Sequence, residues 1–134
     1  MVASGNQIRR ILRDFIRAVE PAIAVERVVL YGSYVRGEAN EWSDIDVAVI
    51  SSSFNNLPQT RVIDMLARKI IRCDSRLMPV AYTPAQFDNS PPYAFAAEIR
   101  RTGKVIYDAR KKRARKQVST KQRRSGKKVL KAER

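Results

Sequence analysis

The feature that most restricts the fold is a pair of short apolar runs with a glycine and two carboxylates at their adjoining ends. Residues 28–31 stop at Gly32, and residues 45–50 form a second run that begins near Asp44. Both runs have the length and composition of buried β-strands. Because side chains alternate along a strand, Asp44 and Asp46 project from one face about 7 Å apart, and their neighbours point into the core.

Two carboxylates on the same face of a strand repel each other, which would raise the pKa of one of them. A divalent cation removes the conflict, and Mg²⁺ suits oxygen-rich sites made of one or two carboxylates and substrate phosphates. Asp44 and Asp46 are therefore candidate metal ligands. Taken alone, the Asp-x-Asp pattern fits a solvated strand end equally well, so the assignment depends on its surroundings.

The turn after the first strand has the chemistry of a phosphate cradle. Gly32 lets a backbone pass close to a ligand. The amides at the start of a helix opening at Ser33 attract an anion, and the serine hydroxyl is a further donor. Arg36 lies one turn later, where it can pair with a phosphate. Together with the carboxylates of the adjacent strand, this turn predicts a site for a metal ion and a nucleoside triphosphate.

Other catalytic and phosphate-binding motifs are excluded by residues that the chain lacks. Gly32 and Gly37 have the glycine spacing of a P-loop, but Glu38 and Ala39 follow where that motif has lysine and serine or threonine. A dinucleotide fingerprint needs a third glycine in register. Because the chain has no histidine, histidine-dependent triads and the usual catalytic zinc sites are excluded as well.

The charge of the chain divides sharply between two segments. Residues 1–108 carry 14 basic and 12 acidic residues, whereas residues 109–134 carry 13 basic residues and one acid. The second segment has too few apolar side chains to offset its ordering entropy. We therefore expect a folded domain over residues 1–108 and a disordered basic tail over residues 109–134. The tail either binds RNA or DNA non-specifically through phosphates or is a solvated extension.

Hydrophobic periodicity predicts four helices that alternate with four strands. The helices are residues 6–20, a short one after Gly32, 59–72 and 93–101, and the strands are residues 28–31, 45–50, 77–82 and 105–107. This order predicts an α/β or α+β fold in which helices cover a small sheet. Pro79 predicts an edge or bulged position for the third strand. The inward face of the long second helix is expected to comprise Val62, Ile63, Leu66 and Ile70.

Cysteine usage and hydropathy predict the compartment. The single cysteine, Cys73, excludes an internal disulfide, the first ten residues contain no apolar stretch of signal-peptide type, and no run approaches the ~20 residues that span a bilayer. A cytoplasmic protein is expected. Packing roles are favoured for Cys73, at a helix end, and for Trp42, under the loop before the aspartates.

One pattern in the chain resembles the signature of the minimal nucleotidyltransferases, the MNT-type members of the DNA polymerase beta superfamily. It consists of Gly32-Ser33, then ten residues, then Asp44-x-Asp46. Residues 34–37 match the common extension of that signature, and the resemblance covers roughly residues 6–108. It implies a mixed sheet with packed helices, Mg²⁺, and transfer of AMP from ATP to a hydroxyl of a protein or RNA. Gly32 and Ser33 would then hold the triphosphate, and Asp44 and Asp46 the metal.

One position departs from the family pattern. The family has a third acidic residue on the strand after the long helix, and alignment through that strand puts Met78 there. Asp74, the nearest acid, is displaced by about 13 Å of extended chain. The resemblance leaves two functions open. The chain is a nucleotidyltransferase, acting as antitoxin on a HEPN-type partner, or it is a degenerate module that neutralises such a partner by binding alone.

Overall fold

A mixed four-stranded sheet forms the centre of the computed structural model, which describes residues 2–111. The helices are α1 (Gly5–Val19), α2 (Ser33–Arg36), α3 (Gln59–Arg72), α4 (Pro84–Asp88) and α5 (Phe95–Thr102), with a 3-10 helix at Ser52–Asn56. The strands are β1 (Arg27–Tyr31), β2 (Ile45–Ile50), β3 (Leu77–Tyr82) and β4 (Lys104–Asp108). The predicted fold class and the four predicted strands are confirmed, but the strict alternation of helices and strands is wrong, because both α4 and α5 lie between β3 and β4 and a 3-10 helix precedes α3.

The strands lie in the order β3-β2-β1-β4. β1 is antiparallel to both β2 and β4, whereas β2 and β3 are parallel and are joined by the α3 crossover. Pro79 lies in β3 at the edge of the sheet, as predicted, because an edge strand tolerates a residue without a backbone donor. β1 and β2 are the two central strands, each flanked on both sides, so their backbones are held more firmly than those of the edge strands β3 and β4.

The larger core lies between α1, α3 and one face of the sheet. α1 begins with a capping box. The Ser4 hydroxyl accepts a hydrogen bond from the Gln7 backbone amide, and the Gln7 side-chain oxygen accepts one from the Ser4 backbone amide. Its buried stripe repeats at helical spacing and comprises Ile8, Leu12, Phe15, Ile16 and Val19. Each such side chain contributes about 1.5–3 kcal/mol on burial. This layer of side chains holds α1 and α3 against one face of the sheet.

A smaller core covers the other face, under α4 and α5. Ala48 and Ile50 of β2 and Val29 of β1 pack there against Phe87 and Ile99. Thr83 starts α4 with a second capping box, and Pro84 occupies the first helical turn. Since α4 and α5 cover only part of this face, the beginning of β2 is left open, and that end carries Asp46.

Three local predictions are wrong. Ile63 is 60% exposed, because α3 buries a stripe centred on Val62 and Leu66 that is narrower than the apolar pattern of the helix. Trp42 is 84% exposed rather than packed under its loop. The stretch predicted as a polar loop, residues 51–58, contains the 3-10 helix, whose Phe54 is buried in the larger core.

Two further observations bear on the ends and surface of the domain. Among residues 2–111 there is no helix both long enough and apolar enough to cross a membrane. The predicted disordered tail lies outside the described residues except for its first three, and the Ala109 amide donates to the Glu26 carbonyl.

Candidate active site

Asp46 lies in β2 between two cross-strand neighbours. Tyr31 of β1 is its antiparallel partner, and Met78 of β3 is its parallel partner. All three positions belong to the sheet face that α4 and α5 only partly cover. Ile45 and Val47 point the opposite way and are fully buried in the larger core. The predicted inward direction of Ile45 and Val47 is therefore confirmed, and Asp46 lies on the opposite face of the sheet.

The two aspartates differ in surroundings. Asp44 precedes β2 and is exposed, whereas Asp46 is partly buried. Burial raises the pKa of Asp46, the charge of Asp44 raises it further, and the Arg36 guanidinium opposes both effects. The structure therefore contains the carboxylate repulsion expected from the sequence, and a bound cation would relieve it.

The backbone of Gly32 is packed against the Asp46 carboxylate. A Cβ atom built at Gly32 would lie 2.5 Å from Asp46 Oδ2, so either the turn or the carboxylate would have to shift to admit it. The residue also has φ +81°, a conformation that residues with a Cβ rarely adopt. The positive φ therefore favours glycine at this position, and the turn that follows β1 lies directly beside the candidate metal ligand.

The first turn of α2 presents backbone donors next to this contact. The amides of Val35 and Arg36 both donate to the Gly32 carbonyl. Within residues 2–111, the amides of Ser33 and Tyr34 donate to no other group. Gly37 ends the turn in the left-handed conformation at φ +74°. The residues of the predicted cradle therefore form a turn with two available amide donors at its start.

Arg36 lies close to this cradle without being fixed in it. Its Nε is 3.0 Å from Glu38 Oε2, and both side chains are more than half exposed. An exposed pair of this kind contributes little to stability. Arg36 can therefore leave Glu38 for a phosphate, and its opposing effect on the pKa of Asp46 shows that its charge reaches the carboxylates.

The register of β2 and β3 pairs Met78 with Asp46, and Met78 is the position to which the family resemblance assigns a third acid. Asp74 does not replace it, because its oxygens accept from Nε and Nη2 of Arg76 at 3.0 and 2.8 Å. The Arg76 side-chain bonds hold the pKa of Asp74 below its usual range. No group of three potential acidic, cysteine or histidine ligands occurs among residues 2–111.

The donor set still fits Mg²⁺. Two carboxylates beside an amide cradle match an ion that takes one or two carboxylates and completes its shell with water and substrate phosphates. Asp44 and Asp46 are the residues that would hold such an ion, and the charge of Asp44 contributes to the raised pKa of Asp46.

Sequence reasoning misses two aromatic contributors to this face. Burial and the neighbouring Asp46 and Tyr82 raise the pKa of Tyr31 to about 12, so its hydroxyl stays protonated. Phe95 meets the Tyr31 ring edge to face, with centroids 5.5 Å apart, and is half exposed. The position of Tyr31 directly before Gly32 is the one signal for it in the sequence, whereas the contact with Phe95 depends on the tertiary fold.

Comparison with known proteins gives one family match and several relatives. Residues 8–117 match the family model of the nucleotidyltransferase domain. The chain is 28% identical to the "Putative protein adenylyltransferase MJ0141" of Methanocaldococcus jannaschii over 79 residues, which cover 57% of this chain and 80% of that protein. It is 28% identical to "Putative protein adenylyltransferase MJ1305" of the same organism over 111 residues, covering 77% and 74%.

Two solved structures share the fold. A "putative nucleotidyltransferase" from Sulfolobus solfataricus superposes with a TM-score of 0.57 at 14% identity, covering 77% of this chain and 82% of that one. A chain of a toxin-antitoxin structure with AMP-PNP superposes with a TM-score of 0.54 at 20% identity, covering 86% and 90%. At these identities the likeness is one of fold.

Proposed function

The chain belongs to the nucleotidyltransferase domain family, and from that premise we propose that it transfers AMP from ATP, with Mg²⁺, to a hydroxyl group of a protein. The observation that carries the proposal is the packing of the Gly32 backbone on the Asp46 carboxylate. This contact brings a donor for phosphate oxygens and a ligand for a metal ion to adjoining positions, which is what a metal–triphosphate complex needs.

Each residue of the site has a role in this proposal. The amides of Ser33 and Tyr34, together with the Ser33 hydroxyl, bind the triphosphate, and Arg36 balances its charge. Asp44 and Asp46 hold Mg²⁺, which when bound neutralises phosphate charge and acidifies the attacking hydroxyl. The closeness of Gly32 to Asp46 keeps the triphosphate and the carboxylates in one fixed geometry, which lowers the entropic cost of the reaction.

The reaction is a displacement at the α-phosphorus of ATP. The oxygen of the acceptor hydroxyl forms a bond to this phosphorus, the bond to the bridging oxygen of the β-phosphate breaks, and pyrophosphate leaves. The hydroxyl proton goes to solvent at the open end of β2, since Met78 offers no basic atom. Tyr31 stays protonated at neutral pH and acts as a neutral wall of the site.

A protein acceptor is supported by two comparisons. The relatives from Methanocaldococcus jannaschii bear the name protein adenylyltransferase, and one structural neighbour comes from a toxin-antitoxin structure. The carboxylates also lie at the open beginning of β2, which a macromolecule can reach. We propose that the acceptor is a HEPN-type toxin and that this chain acts as its antitoxin.

A second function is favoured by Met78. Its side chain is half exposed and is paired in register with Asp46, where an acid would complete the ligand set. Methionine offers Mg²⁺ no oxygen, so turnover is expected to be slow. The alternative is therefore a module that retains the fold and binds its partner without modifying it.

The test is label transfer from ATP in lysate of the source organism with Mg²⁺. Label from the α-phosphate, absent with γ-labelled ATP and absent in Asp44→Asn/Asp46→Asn, supports the transferase. Protease and nuclease digestion then identify the acceptor. Loss of label on protease treatment supports a protein, whereas loss on nuclease treatment contradicts it. If no label is transferred by the chain or by Met78→Asp, the binding module is the better description.

A further inference from the structure

A groove between α1 and β4 lies on the sheet face opposite the candidate active site. It has a volume of about 500 Å³ and combines an apolar floor with a charged wall. Leu12 and Ile16 of α1 and Ile106 and Tyr107 of β4 line the floor. The wall consists of three arginines from successive turns of α1, which are Arg9, Arg13 and Arg17.

These three arginines are exposed and have no acidic partner. Within residues 2–111, none of them forms an ion pair, whereas Arg27 and Arg76 are each paired with an aspartate. Among residues 2–111, Glu20 is the one acid in the lining of the groove. A spacing of four residues separates successive arginines by about 6 Å along the helix. The groove therefore presents a regular row of unneutralised guanidinium groups.

The charge of the folded domain is concentrated on this layer. α1 and α3 each carry four basic residues and one acid, a net charge of +3 for each helix. Residues 1–108 as a whole carry only +2, so the rest of the domain has a net charge of −4. Although the net charge of the domain is close to zero, the face opposite the carboxylates is therefore basic.

We propose that the α1–β4 groove binds the sugar–phosphate backbone of a nucleic acid without sequence specificity. Guanidinium forks match phosphate oxygens in pairs, and all four basic residues of α1 are arginine. A nucleic acid is favoured over an acidic protein because β4, which lines the groove, is followed directly by residues 109–134 with a net charge of +12. A continuous polyanion can satisfy both segments at once.

The proposal does not depend on the proposed function. The groove contains none of the residues assigned to ATP or Mg²⁺, and it lies on the other face of the sheet. A chain that transferred no AMP would still be expected to bind nucleic acid. The groove would hold the protein on RNA or DNA and leave the carboxylates free for a different molecule.

The experiment measures binding of the full chain to a fluorescein-labelled 20-nucleotide RNA by anisotropy at several NaCl concentrations. In the triple variant Arg9→Gln/Arg13→Gln/Arg17→Gln, the affinity for RNA at 50 mM NaCl is expected to fall by about tenfold or more. The slope of log affinity against log NaCl concentration is expected to become shallower by about 2, the value for three phosphate contacts on a single strand. The matched control is Arg61→Gln/Arg68→Gln/Arg72→Gln, which removes the same charge from α3 and is expected to bind more tightly than the α1 variant.

The outcomes distinguish binding of RNA in the α1–β4 groove from attraction of RNA by the net positive charge of the chain. Equal losses in the two triple variants would mean that net charge alone attracts RNA, and the proposal would be wrong. An unchanged α1 variant, or a full chain that does not bind RNA or an equivalent DNA at 50 mM NaCl, would also overturn it and would favour an acidic protein as the occupant. Circular dichroism verifies folding, and the single change Arg13→Glu replaces the triple variant if that fails to fold.

Discussion

Met78 lies directly across from Asp46 on the neighbouring parallel strand. Cross-strand neighbours have side chains on the same face of the sheet, so an acid at residue 78 would share a metal ion with Asp46. The replacement of an acid by a thioether at this point is the main chemical difference between this site and the family pattern. It makes residue 78 the most informative position for substitution.

Met78→Asp is expected to raise the rate of AMP transfer by at least tenfold, because a third carboxylate completes the oxygen ligands for the metal ion. The measurement is the initial rate of label transfer from α-labelled ATP at saturating Mg²⁺. Met78→Asn has similar size but no charge and is expected to leave the rate nearly unchanged. If the asparagine variant gains as much as the aspartate variant, the effect comes from side-chain shape and the metal argument is wrong.

The contact between Gly32 and Asp46 predicts a loss of nucleotide binding in Gly32→Ala. The added methyl group would lie 2.5 Å from Asp46 Oδ2, so either the turn or the carboxylate has to move. We expect at least tenfold weaker binding of ATP, measured by isothermal titration with Mg²⁺. The backbone of Gly32, at φ +81° and ψ −150°, lies in a region that is essentially confined to glycine, so the substitution would also reduce stability by about 1–3 kcal/mol.

Gly37→Ala is the matched control for this substitution. Gly37 also has a positive φ, of +74°, but, apart from its two chain neighbours, no residue in the described part of the chain lies within 4 Å of the position that a Cβ atom would take there. It is expected to lose stability by about 1–2 kcal/mol as well while keeping its affinity for ATP. Equal losses of affinity in the two variants would show that backbone strain, and not the contact with Asp46, controls the cradle.

The parts of the fold that can be predicted are those set by local pattern. The bounds of α3 and β3 match the sequence prediction because each run ends at a clear change in periodicity. The register that places Tyr31 and Met78 beside Asp46 cannot be derived in this way, since it depends on how separate strands align. The prediction for Ile63 is wrong because the width of a buried helix stripe is set by the surface that it covers, and that surface is remote in sequence.

The candidate site shows the same division. Residue types at a fixed spacing are enough to pick out Gly32 and Asp46, and strand alternation is enough to place Asp46 on the face opposite Ile45 and Val47. The exposure of Trp42 does not follow from the sequence, because its loop is held by hydrogen bonds of its own, including one from the Trp42 amide to Asn40 Oδ1 at 2.8 Å. The polar groups of such a loop are satisfied by local hydrogen bonds, so the loop keeps its conformation without burying the indole ring.

The raised pKa of Asp46 predicts that this residue destabilises the free protein at neutral pH. Because its pKa is higher in the folded chain than in the unfolded chain, folding favours the protonated form. The cost is absent below the unfolded value and appears as the pH rises through the folded value. Asp46→Asn is therefore expected to unfold at a higher temperature than the parent chain at pH 7, and the difference is expected to vanish in acid.

Thermal unfolding between pH 3 and pH 8 measures this effect. Glu41→Gln, in the exposed loop before Asp44, removes the same charge and is expected to leave the unfolding temperature nearly unchanged. Mg²⁺ with ATP should raise the unfolding temperature of the parent chain and of Glu41→Gln but not of Asp46→Asn. A lower unfolding temperature for Asp46→Asn at pH 7 would contradict the prediction.

The Asp74–Arg76 pair is expected to have the opposite dependence on pH. The side-chain bonds from Arg76 lower the pKa of Asp74, so this carboxylate contributes stability above its unfolded pKa and loses it as the pH falls through the folded value. Since both side chains are partly exposed, Asp74→Asn is expected to cost only about 1 kcal/mol at pH 7.

Asp64→Asn tests whether this cost is specific to the Asp74 site. Asp64 pairs with Arg68 on the open surface of α3, where both side chains are more than 60% exposed, so its removal should cost less than about 0.5 kcal/mol. Urea unfolding at pH 7 and pH 3.5 compares the two variants with the parent chain. The Asp74→Asn difference should shrink at the lower pH, because the parent carboxylate is then closer to protonation. A difference that stays constant would mean that Asp74 acts through packing of the turn before β3 and not through its charge.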